Sequence, residues 1–191
     1  MVLQDDSDVK IFGNKAGTTD AGDLAEVSSQ LDRHRSNGNI AKAKALGERL
    51  AVLEPESSSG IDLYDLFGEA DVPPAEVYQI RVLLVFVAQT TISKRLVTPL
   101  LSSCAVNAMY NKLMETSTDF YTDISDGAAF TFYSLSLRRD KDIPKSIGEY
   151  FAMLCGRENN KVYEDMGADV YTHAVELIEG IIGEYCFEEL V

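Results

Sequence analysis

The chain has 191 residues, of which 46% are hydrophobic and 25% charged, and it carries a formal net charge of −14. That composition supplies a core for one domain, or one domain plus a small appendage, and argues against chain-wide disorder. The acids are spread along the whole length, 14 acids against 7 bases in residues 1–72 and 17 against 10 in residues 73–191, so the sequence has no Lys/Arg cluster able to displace counterions from a nucleic-acid backbone or to settle on anionic lipid.

Residues 1–19 are polar and hold Gly13, Gly17 and paired threonines, a composition expected of a flexible tail. A helix is predicted to start near Asp20 or Asp23, where acids suit the positive end of the helix dipole, with Leu24, Val27 and Leu31 on one face. Gly38 offers the left-handed stop, and a second helix follows over residues 40–53 with Ile40, Ala43, Leu46, Leu50 and Leu53 as its apolar stripe. The stretch Gly38-Asn39-Ile40-Ala41-Lys42-Ala43-Lys44-Ala45, with Pro55 closing it, resembles the second half of one tetratricopeptide unit. Such arrays bury their faces on neighbouring repeats, and no second copy stands at the period of about 34 residues, so a single helical hairpin is expected.

Residues 55–73 read as a linker rich in Ser, Gly and Pro, with a short helical segment at 61–67. Pro74 suits the first turn of a third helix over residues 74–97. Its run at 82–88 is apolar on every face, which places it at the centre of the fold. At seven residues that run is too short to span a bilayer. Further helices are expected at 100–115, 118–137, 142–155 and 161–188. Within 118–137, Phe130-Thr131-Phe132-Tyr133-Ser134-Leu135-Ser136-Leu137 alternates as a strand would, yet nothing else in the chain offers a pairing partner. The triplet Gly127-Ala128-Ala129 is expected at a close helix crossing.

The chemistry-bearing residues are sparse. Cys104, Cys155 and Cys186 are widely spaced and odd in number, against both a disulfide framework and a zinc site. Asp169, His173 and Glu176 share one helical face and are the nearest approach to a metal-ligand set. They fall short of a dinuclear site, because the other histidine, His34, stands among Asp32, Arg33 and Arg35 in what reads as a surface setting. Cys155 lies on an apolar stripe, where inert thiols are the rule. No phosphate-binding glycine motif and no nucleophile elbow occurs.

The expected fold is therefore all-α, an orthogonal or irregular bundle of about six or seven helices around the central helix at 74–97. The expected parts are the tail at 1–19, a hairpin at 20–54, the linker at 55–73 and a main bundle at 74–191. Residues 162–191 hold eight acids and no Lys or Arg. A non-enzymatic protein of the cytoplasm is expected, without cofactor, acting by its acidic surface on a basic partner or by self-association. The rival expectation is a small-molecule-binding domain whose Phe and Tyr residues line a pocket.

Overall fold

The computed structural model describes residues 21–53, 73–139 and 141–188. Those residues form eight helices and no strand: α1 (Ala21–Ser36), α2 (Asn39–Ala51), α3 (Pro74–Arg95), α4 (Pro99–Thr116), α5 (Thr118–Asp126), α6 (Ala129–Arg139), α7 (Ile143–Leu154) and α8 (Lys161–Glu184). The fold is an all-α bundle, as the periodicities require. The expected tail at 1–19, the linker at 55–73 apart from Pro73, and the side chains of Leu24 and Val27 lie outside the described residues.

Local sequence sets most of the boundaries. Gly38 takes a φ of 81° and turns the chain between α1 and α2. Proline stands at the first turn of α3, α4 and α7, where its missing N–H costs no helical bond. The Thr98 hydroxyl accepts from Leu101 N, the Asp142 carboxylate from Lys145 N and the Asn160 amide oxygen from Val162 N, capping α4, α7 and α8. At the end of α7, Gly156 is left-handed (φ 68°), with Gly156 N donating to Met153 O and Arg157 N to Ala152 O.

Two expectations need correction. The stretch 118–137 is two helices, not one, and contains no strand. Gly127 is the break between them: it is exposed and extended (φ −80°, ψ 152°) as the cap of α5, and not the site of a helix crossing. The alternation at 130–137 arises because α6 places Tyr133 and Ser136 in the interior on a helical spacing of three, while Phe130 and Leu137 lie half-buried beside them.

Helix α3 is the axis of the bundle, touching α2, α4, α6, α7 and α8. Every residue from Val82 to Ala88 is buried. By length and composition the whole helix could cross a membrane, but 61% of its most apolar stretch is covered by the bundle. Each large side chain covered in this way contributes about 1.5–3 kcal/mol.

Around that axis lie two closely crossed pairs, α2 on α4 and α7 on α8. Each depends on a glycine. A methyl group at Gly47 would collide with the backbone of Ala105 and Met109 in α4, and one at Gly148 with the backbone of Glu164 and Ala168 in α8. Gly180, by contrast, has open space around its α-carbon.

The two kinds of glycine predict opposite outcomes in urea unfolding. Gly47→Ala should lower stability by about 2–3 kcal/mol, because backbone cannot move aside as a side chain can. Gly180→Ala should raise it by about 0.5–1 kcal/mol through helix propensity alone. Equal midpoint shifts in both variants would contradict the close-crossing account.

Candidate functional site

Helix α8 turns one stripe inward and another outward. Gly167, Val170, Ala174, Ile178 and Ile181 are buried, while Asp165, Asp169, Thr172, His173, Glu176 and Glu184 are exposed. Tertiary structure changes the charge of that outer stripe. Arg49 of α2 pairs with Glu184, Arg95 of α3 with Glu179, and Lys161 with both Glu164 (3.9 Å) and Asp165 (2.7 Å). The Arg49 hydrogen bond holds the Glu184 carboxyl below its ordinary value, with the Arg49 charge adding to it, and Asp165 raises the Lys161 ammonium. The Arg49–Glu184 and Lys161–Asp165 pairs are solvent-exposed and screened by salt, so they shape the surface field more than they hold the fold.

The uncompensated acids are in the middle of the helix. Asp169 and Glu176 form no ion pair among the described residues, and His173 stands between them on the exposed face. His173 Nδ1 lies 3.0 Å from the Asp169 carbonyl oxygen. A carbonyl only accepts, so Nδ1 carries the hydrogen and Nε2 faces away from that bond. The three predicted ligand-type residues thus share a solvent-facing stripe. Among the described residues no three His, Cys, Asp or Glu side chains form a group able to hold a metal ion.

The second histidine departs from its expected setting. His34 is fully buried, not at the surface, with Nδ1 3.2 Å from Asn39 Nδ2. Asn39 in turn bonds the backbone of Glu188, so the chain after α8 is tied to the α1–α2 turn. No local pattern marks this arrangement, because the contact joins residues 149 positions apart.

A third polar group lies where α3, α6, α7 and α8 converge. Glu76, buried in the first turn of α3, accepts a hydrogen bond from the Tyr163 hydroxyl at 3.1 Å. Ser146 donates to Ser136 at 2.8 Å. The Tyr133 hydroxyl is buried with no partner among the described residues, and burial pushes its acidity far down. Burial, followed by the Glu76 charge, pushes the Cys155 thiol up to about 12. At neutral pH Cys155 is a protonated thiol, the opposite of an activated nucleophile.

The aromatic residues are largely consumed in packing. Phe86 meets Phe130 (5.5 Å) and Tyr133 (5.3 Å), Tyr78 meets Phe120 (5.6 Å), and Tyr110 meets Tyr121 (6.1 Å). Two surface clefts stand out among the described residues. One, of about 550 Å³, is lined by Arg81, Ser117, Thr118 and Phe120; the other, of about 250 Å³, by Thr90, Lys94, Tyr171 and Glu179. The first is open and mainly polar; the second is more closed and mixes polar with apolar lining, including Tyr171 and Val175.

No protein-family model matches the chain, and no curated protein and no solved structure proved similar to it.

The thiols provide a check on these surroundings. With iodoacetamide at pH 8, exposed Cys186 should alkylate first and Cys155 last, its rate rising sharply once denaturant opens the core. Peptide mapping over time would show the order; early labelling of Cys155 in the folded chain would contradict it.

Proposed function

We propose that this chain is a non-enzymatic helical interaction protein of the cytoplasm that meets a basic partner through the outer face of α8. The supporting observation is the uncompensated stretch at Asp169 and Glu176, bounded on both sides by acids already paired with Lys161, Arg95 and Arg49. Neutralised ends and a bare middle restrict the negative field to about two helical turns on a rigid element, whose opposite stripe is fixed in the core. The burial of His34, the protonated Cys155 thiol and the packing of the aromatic rings against one another are in keeping with this reading.

A labelled Lys/Arg-rich peptide is a suitable probe. Its affinity for the full chain should fall several-fold between roughly 0.05 and 0.3 M salt. Asp169→Lys with Glu176→Lys should weaken it further. The same reversals at Asp119 and Asp126 on α5, also exposed, should leave it nearly unchanged. Equal losses from both pairs would mean that the probe senses only the net charge of −14, and the reading would fail.

A further inference from the structure

The α1–α2 turn and the segment after α8 meet through hydrogen bonds directed at backbone. Helix α8 ends at Glu184, and Cys186 adopts a φ of 45°, a left-handed conformation unusual for a residue with a Cβ. Beyond it, one side-chain amide engages both backbone groups of one residue. Asn39 Nδ2 donates to the Glu188 carbonyl at 2.7 Å, and Glu188 N donates to Asn39 Oδ1 at 3.1 Å.

That amide is itself held in place. Its second Nδ2 hydrogen meets His34 Nδ1 at 3.2 Å, and Asn39 N donates to Asn37 Oδ1 at 3.1 Å. An amide nitrogen only donates, so the imidazole accepts at Nδ1 and carries its hydrogen on Nε2. His34 is fully buried, and Nε2 has no partner among the described residues. Burying such a ring is costly for helix packing, where an aliphatic residue would serve at less cost. What the ring does here is orient Asn39.

The chemistry of the seat follows from these contacts. An amide that pairs with one N–H and one C=O of a residue recognises its backbone whatever side chain it carries. Selectivity comes from the neighbours. Lys42 Nζ donates to the Cys186 carbonyl at 2.9 Å, and Arg49 holds the Glu184 carboxylate. Glu184 ends α8, Glu188 carries the clamped backbone, and Phe187 between them packs half-buried against the core. Three hydrogen bonds, an exposed ion pair and a half-buried Phe187 are a small share of the contacts that hold the bundle, so the segment can leave without the bundle unfolding.

We infer that the α1–α2 turn is a docking site for a peptide that places an acidic residue at the clamped position and an aromatic residue before it, and that residues 185–188 fill it as an exchangeable self-ligand. A partner segment of the same chemistry takes the seat by displacing them. This site shares the Arg49–Glu184 pair with the end of α8 but not Asp169 or Glu176, and it takes a partner of opposite charge to the one proposed for those two acids.

The test uses the full chain and a labelled peptide with the sequence of residues 184–191, carrying serine in place of Cys186. Glu188→Pro removes the N–H that Asn39 binds and so loosens the internal segment. The peptide should therefore bind Glu188→Pro about tenfold more tightly than the parent chain. Adding Asn39→Ala or Lys42→Ala to that variant should weaken binding, as should replacing every Glu of the peptide by Lys. Circular dichroism checks the helices, and if Asn39→Ala does not fold, Lys42→Ala, whose side chain is half-exposed, decides alone. No saturable binding to folded Glu188→Pro, or binding insensitive to these substitutions, overturns the inference.

Discussion

Helix α3 has no polar side between Val82 and Ala88, and this is the constraint on which the remainder of the bundle depends. A helix apolar all round must be covered in every direction. One layer of neighbours on one flank would leave several large aliphatic and aromatic side chains in water. The chain meets the requirement by placing α2, α4, α6, α7 and α8 against it. The surrounding helices can then be ordinary amphipathic ones, each burying a single stripe against the axis or against each other.

Coverage of α3 depends on how closely its neighbours pack. Gly47 brings α2 onto the backbone of α4, and Gly148 brings α7 onto the backbone of α8. Neither glycine is needed for a turn; each is needed because a methyl group has nowhere to go. The resulting pairs support α3 like two clamps, and the polar groups trapped between them are mostly satisfied in place: Glu76 by Tyr163, and Ser136 by Ser146. The same tight interior leaves the Tyr133 hydroxyl buried without a partner and keeps the Cys155 thiol protonated.

Charge follows the same division between local and distant causes. Read along the chain, residues 162–191 are acids without a base. In space, Arg49 and Arg95 come from α2 and α3 to meet two of those acids, and Asp169 and Glu176 remain uncompensated. The chain after α8 bends back to Asn39, so the α1–α2 turn and the residues following α8 share one polar contact. The exposed acids Asp169 and Glu176 and the Asn39–Glu188 contact at the α1–α2 turn are thus both products of packing.

What the sequence by itself determined was the class of fold and most of its punctuation. Apolar spacing marked the helices, Gly38 and Pro74 their limits, and the run at 82–88 the buried axis, because these are consequences of nearest-neighbour chemistry along a chain. The break at Gly127 was not evident, since glycine at that position suits a helix crossing as well as a helix end. Tertiary structure alone decided the sites. His34 sits beside Asp32, Arg33 and Arg35 in sequence and is nevertheless fully buried, its ring engaged by Asn39, which is itself tied to Glu188 near the far end of the chain. The acids of α8 likewise divide into paired and unpaired only once α2 and α3 are packed beside them. Periodicity reports which face of a helix turns inward; it does not report which distant side chain waits there.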